Sequence, residues 1–121
     1  MPSSTGDLLD ELMLHVHTDV RPWGFMRALD APGCDITVKY LAVSDGSRTS
    51  LQRHDRKDEL LFILHGSGYV EVGDATYWAS KTVVRIPPGT VHRVTGPLTY
   101  LEVSSYDDGT DTVRLEDDYG R

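Results

Sequence analysis

Hydrophobic and polar positions change their period once along this chain, near residue 20. Between Asp7 and His17 apolar residues stand at Leu8, Leu9, Leu12, Met13 and Val16, with Leu14 besides. That spacing predicts a short amphipathic helix with Asp7 as its N-cap. From Arg21 onward the apolar residues gather instead in short β-rich runs bounded by Gly, Pro, Asp or Ser: 36–43, 60–65, 68–72, 75–78, 82–86, 91–95 and 98–104. Short strands at such intervals, with turn signals between them, predict an all-β sandwich or barrel. The run Leu60–Leu64 is apolar at every position. Such a strand lies inside a sandwich, or lines a dry pocket on one side and meets a partner on the other. Residues 110–121 are charged without an apolar period and by composition read as a disordered tail. The expected organisation is an N-terminal arm, helical or extended, over residues 1–20 and one β domain over 21–121.

Composition narrows this picture. The chain has 121 residues, which suits one domain with a real hydrophobic core. A single cysteine, Cys34, gives no internal disulfide framework and no multi-cysteine zinc site. No apolar run approaches a membrane span, and the first residues show neither a basic nor an apolar leader segment, so a cytoplasmic protein is expected. The formal net charge of −7 argues against nucleic acid as a partner, which needs a positive field. That charge is unevenly spread. Residues 1–35 hold 6 acidic and 2 basic side chains, residues 106–121 again 6 and 2, and residues 94–105 only Glu102, whereas residues 36–93 hold 6 acidic and 8 basic. An anionic small molecule at the middle of the chain therefore remains electrostatically acceptable.

Chemistry concentrates in that middle stretch. Gln52 and His54 are two residues apart, so on a strand both side chains share one face. Glu59 follows after a short turn and can return to that face from the next strand. Some 38 residues beyond His54, Pro87-Pro88-Gly89-Thr90-Val91-His92 places a histidine at the start of a strand after a Pro-Gly turn. An amide oxygen, two imidazoles and a carboxylate form a mixed N/O set suited to a divalent ion such as Zn, Fe, Mn, Co or Ni. Such an ion would keep positions open for substrate and act as a Lewis acid.

These residues resemble the two motifs of the cupin superfamily. Ser50-Leu51-Gln52-Arg53-His54 with Glu59 is similar to the pattern of the cupin domain of type II mannose-6-phosphate isomerases, in which Gln replaces the first histidine. Arg21-Pro22-Trp23-Gly24 and Val113–Arg121 look like the flanking segments of the same family. The resemblance implies a small jelly-roll β-barrel with a metal inside, held by Gln52, His54, Glu59 and His92, and an ordered C-terminal segment. It also implies isomerisation of mannose 6-phosphate and fructose 6-phosphate, by proton transfer between C1 and C2 through an enediol. The chain departs from that pattern at Leu60-Leu61, where the family usually has His-Trp, at Lys39-Tyr40, where it commonly has Lys-Arg, and at Gly96, where it often has Asn. The first two changes make the pocket more apolar and remove an arginine.

Candidate proton-transfer or anion-binding groups are His65, Lys57 and Arg56. His65 shares the alternation of Glu59, Leu61 and Ile63, and its ordinary pKa lies near neutrality. Arg56 and Lys57 follow His54 closely and suit an anionic substrate at the barrel mouth, as do Arg114 and Arg121 in the tail. Trp23 and Trp78 read as packing anchors, and Tyr40 and Tyr69 as core-filling residues with hydroxyls at the rim. Three functions stay open: a metal-dependent isomerase of a sugar phosphate; a tailoring epimerase, dehydratase or cyclase acting on a non-phosphorylated carbonyl compound; and a non-catalytic cupin that binds a small ligand. A homodimer is expected, through the doubly apolar strand and the N-terminal arm.

Overall fold

The computed structural model of the chain describes residues 16–29, 35–79, 82–105 and 109–120. Within them lie eleven strands and no helix: β1 (Val16–Arg21), β2 (Gly24–Leu29), β3 (Ile36–Val43), β4 (Leu51–His54), β5 (Glu59–Gly66), β6 (Tyr69–Val72), β7 (Ala75–Trp78), β8 (Val83–Ile86), β9 (His92–Thr95), β10 (Leu98–Ser105) and β11 (Thr112–Glu116). All seven β-rich runs are strands to within a residue or two. The helix expected over residues 7–17 falls outside the described residues except for Val16 and His17, which begin β1. The boundary drawn at residue 20 therefore runs through a strand. Cys34 and Arg121 also lie outside the described residues.

The strands form two antiparallel sheets. One has the order β1-β2-β3-β10-β5-β8 and the other β11-β4-β9-β6-β7. Period-two alternation gives each sheet an inner and an outer face. On the six-stranded sheet the paired residues His17, Ala28, Lys39, Glu102, Leu61 and Val84 make one inward row. Trp23, Leu41, Val43, Leu61, Val70, Val84, Ile86, Val94, Leu98 and Tyr100 close the core between the sheets. Trp23 is thus an anchor, as expected. Trp78 is not: it is 57% exposed and packs at a tilt against Tyr69, ring centroids 4.7 Å apart, on the outer side of β6 and β7. Tyr40 also turns outward, against Phe25.

Two features account for sequence signals that local pattern left obscure. A Cβ at Gly96 would lie 2.1 Å from the Ser44 carbonyl oxygen, so only glycine admits this approach of two backbones. The charged tail is ordered because its polar groups have specific partners. β11 pairs with β4, and the Asp111 carboxylate just before it accepts the backbone N–H groups of Asp55, Arg56 and Lys57 at 3.1, 2.9 and 2.8 Å. Those bonds outweigh desolvation and hold its carboxyl below the usual range. A residue from the far end of the chain thereby fixes the turn between β4 and β5.

Candidate metal centre

The two sheets enclose a cavity of about 450 Å³. β4 brings Gln52 and His54 to it on one strand face, as their spacing predicts, and β9 brings His92, registered opposite Gln52. β5 brings Glu59, but from the other sheet. The group therefore spans the two layers.

His54, Glu59 and His92 are all buried, and one ligand atom from each lies within 4.8 Å of the others. Nε2 of His92 is 3.2 Å and Nε2 of His54 3.6 Å from Glu59 Oε1. The other ring nitrogens are engaged behind the site: His92 Nδ1 with the Thr90 carbonyl at 2.9 Å, and His54 Nδ1 with the Thr112 hydroxyl at 3.3 Å. A proton on His92 Nδ1 leaves the Nε2 lone pair directed at Glu59, the tautomer a metal ligand needs. The Ser50 hydroxyl donates to Gln52 Oε1 at 2.9 Å and orients that amide.

The electrostatics of the trio follow from its burial. Burial lowers the pKa of His54 to about 4, aided by Lys57 and His92, and burial likewise lowers that of His92. Both rings are neutral at pH 7. Burial, reinforced by Glu102, pushes the Glu59 carboxyl up to about 9. Glu59 Oε1 is buried without a hydrogen-bond partner, which leaves an uncompensated polar atom facing two imidazole nitrogens. A divalent cation coordinated by Oε1 and the two Nε2 atoms would satisfy that oxygen and displace the proton. The residues present therefore fit a metal ion, with a 2-His-1-carboxylate set and Gln52 on the same wall.

Of the proton-transfer and anion-binding candidates, Lys57 is drawn into the site, where it is buried. Its ammonium lies 3.6 Å from Glu59 Oε2 and 3.2 Å from Glu102 Oε2. Glu102, on β10, was not singled out from the sequence. It is buried, with Lys39 Nζ 3.9 Å away. Burial works to raise its pKa, but Lys57 and Lys39 win and hold it below the usual value. Its one sequence signal is a lone acidic residue in the apolar run 98–104. Arg56 lies elsewhere: its guanidinium is 70% exposed and turned to Asp111 and Thr110. The expectation that His65 faces the pocket is not met. A bulge on β5 pairs Thr99 with His65 but Tyr100 with Ile63. The extra residue breaks the alternation from Glu59 through Ile63, so His65 is exposed and does not line the cavity. Arg21, Lys39 and Arg114 do line it.

A small double-sheet barrel with a histidine–glutamate–histidine group on its inner walls is a cupin. Residues 9–117 match the family described as "Mannose-6-phosphate isomerase C-terminal", and the chain belongs to that family. It is 36% identical over 113 residues to the alginate biosynthesis protein AlgA of Pseudomonas aeruginosa, covering 87% of this chain and 23% of that one. The chain thus spans about a quarter of the length of the curated relatives it matches. Among solved structures it is similar to a cupin-2 domain protein of Rhodospirillum rubrum, with a TM-score of 0.67, 22% identity and coverage of 76% and 70% of the two chains. It is also similar to Pac13 of Streptomyces, described as a nucleoside dehydratase, with a TM-score of 0.70, 14% identity and coverage of 86% and 88%. No helix among the described residues is long and apolar enough to cross a membrane.

Proposed function

We propose that this protein is a metal-dependent cupin enzyme that moves a proton next to the carbonyl of a sugar or sugar phosphate, as a mannose-6-phosphate isomerase does. The observation that carries the reading is the buried, unpartnered Glu59 Oε1 between Nε2 of His54 and Nε2 of His92. His54, Glu59 and His92 would hold the ion, and Gln52 flanks it. A divalent ion there supplies Lewis acidity toward a substrate carbonyl or hydroxyl oxygen. Lys57 presents its ammonium at the cavity wall beside Glu59, where it can donate a hydrogen bond to an oxygen that gains negative charge. Glu102, held ionised by Lys57 and Lys39, keeps that ammonium in place. Arg21 and Arg114 line the same cavity and offer guanidinium groups to an anionic substituent. The family membership supports the isomerase reading.

A second reading is favoured by the apolar part of the cavity wall. Trp23, Met26, Leu41, Leu61, Ile86 and Tyr100 line it, which suits a less charged carbonyl compound undergoing epimerisation or dehydration. The fold shared with Pac13 is compatible with that chemistry. One experiment separates the readings: metal content of the purified protein, followed by interconversion of mannose 6-phosphate and fructose 6-phosphate with and without chelator. Turnover abolished by the chelator and restored by a divalent metal supports the isomerase. Bound metal without turnover moves the assignment to the second reading, and absence of stoichiometric metal binding overturns both.

A further inference from the structure

His54 and Glu59 stand on different sheets, and the chain passes from one to the other through residues 55–58. The separation of these two side chains therefore depends on how firmly that turn is held. Both of its ends are tied. The Gly89 N–H donates to the His54 carbonyl at 2.6 Å. Asp58 and Ser105 exchange two bonds, from the Ser105 N–H to the Asp58 carbonyl at 3.0 Å and from the Asp58 N–H to the Ser105 hydroxyl at 3.1 Å. Between those ties the N–H groups of Asp55, Arg56 and Lys57 all turn to one carboxylate, that of Asp111. Strand register explains why this residue meets them. β11 runs antiparallel to β4 with Thr112 opposite His54, so Asp111 falls opposite Asp55, where β4 ends and the turn starts. Three successive N–H groups make a concavity that suits an anion. The Asp111 side chain is only 10% exposed, so water competes little for these bonds. Asp111 itself does not line the cavity.

We propose that Asp111 is a positioning residue of the metal centre: by holding the turn between His54 and Glu59 it sets the separation of the two ligands, and with it the affinity for a divalent ion. This role rests on the reading of His54, Glu59 and His92 as metal ligands, and it adds a residue that touches neither the ion nor a substrate. Its physical basis is pre-organisation. Backbone that is free to move must be ordered when the ion binds, and that lost entropy weakens binding. Charge-assisted bonds from one carboxylate to three consecutive residues order the backbone beforehand. The same segment approaches the ligands a second time. The hydroxyl of Thr112, next in sequence, reaches His54 Nδ1 at 3.3 Å, and Arg114 lines the cavity opposite Gln52 in register. Asp111 thus acts where the tail, the turn and a ligand converge. The coupling is reciprocal. A held turn that strengthens metal binding implies a bound ion that holds the turn and β11 more firmly, by the same factor.

The test is the zinc affinity of the full chain, measured by competition with a chromophoric chelator. Asp111→Asn keeps the size of the side chain but sets one neutral acceptor and an amide donor before three N–H groups. It should weaken zinc binding by about tenfold or more, the range found when the partners of metal ligands are removed. Asp118→Asn is the control. It breaks the Arg48–Asp118 pair, which ties the far end of the tail at 2.6 and 2.9 Å, but leaves the turn untouched. Its zinc affinity should stay within about twofold of wild type. Circular dichroism verifies the fold of each variant. Should Asp111→Asn not fold, amide hydrogen exchange of the wild type carries the test. On zinc binding the amides of residues 55–57 and 112–116 should slow at least about tenfold more than those of the β1–β2 hairpin, which carries none of the metal ligands. A folded Asp111→Asn that binds zinc as tightly as wild type overturns the inference and leaves the metal reading standing. So does an equal loss in Asp118→Asn, or exchange that slows uniformly along the chain. A wild type that binds no zinc overturns the metal reading itself, and this role with it.

Discussion

Replacing Glu59 by Gln separates a metal-binding role from a structural one, because the two predict opposite signs. Gln keeps the shape of Glu59 and removes its charge. In the metal-free protein burial holds the Glu59 carboxyl near a pKa of about 9, so at pH 7 it is already neutral in the fold. A carboxyl whose folded pKa is raised stabilises the fold most below its unfolded value and loses that contribution as pH rises toward 9. The neutral amide escapes this loss, so metal-free Glu59→Gln should melt no lower than metal-free wild type at pH 7. In the presence of metal the order reverses. An ion at 100 times its dissociation constant stabilises wild type by about 2.7 kcal/mol. For a domain of this size each kcal/mol moves Tm by roughly 4 °C, giving a rise of about 10 °C. Loss of the charged ligand should weaken binding at least about 100-fold, the upper end of what outer partners alone cost. The same metal concentration then stabilises the variant by only about 0.4 kcal/mol, or 1–2 °C. Thermal unfolding after chelator treatment, and again with Zn, Mn, Co or Ni added, measures both differences. A full metal-induced shift in the variant refutes Glu59 as a ligand. A metal-free variant melting several degrees below wild type shows instead that Glu59 serves as the structural counter-ion of Lys57.

Other outcomes follow from the same geometry. His54 has a folded pKa of about 4, below its unfolded value, and burial lowers that of His92 as well, so the metal-free fold should lose stability as pH falls from about 6.5 toward 4, by up to about 1.4 kcal/mol per pH unit from His54, with a further loss in the same direction from His92; urea unfolding across that window with a flat profile would contradict their burial as neutral rings. Glu102→Gln leaves Lys57 and Lys39 with too little negative charge and should cost about 3 kcal/mol. A denaturation midpoint equal to that of wild type would remove Glu102 from the supporting network. Leu61→Ala, at a side chain 2% exposed in the core, should cost about 2–5 kcal/mol by transfer and cavity terms together, and a smaller loss in calorimetry would mean the two sheets close over the void.

Much of the site was legible in linear order because its signals are local. Gln52 and His54 share a face by strand alternation alone, and the Pro-Gly turn before His92 announces a strand start. What stayed hidden depends on pairing at a distance. Glu102 meets Lys57 across 45 positions of sequence, and nothing near either residue advertises the other. Asp111 caps the turn that carries Lys57 from 54 positions away, so a tail that reads as disordered by composition is held by partners its own residues do not reveal. His65 failed for the converse reason. Alternation placed it in the pocket, and a bulge, required by the pairing of β5 with β10, turned it out.

By itself the amino-acid sequence determined the class of this molecule: short strands, tight turns, and a histidine–glutamate–histidine set at spacings that one strand face and one turn can bring together. Those are consequences of period-two alternation and turn chemistry, which act over a few residues. Only the tertiary structure decided that Glu59 approaches the histidines from the opposite sheet, that a lysine–glutamate pair supports it, and that the Asp111 carboxylate holds the turn between His54 and Glu59. Register across six strands, and the burial that perturbs His54, Glu59 and His92, arise only when distant segments pack.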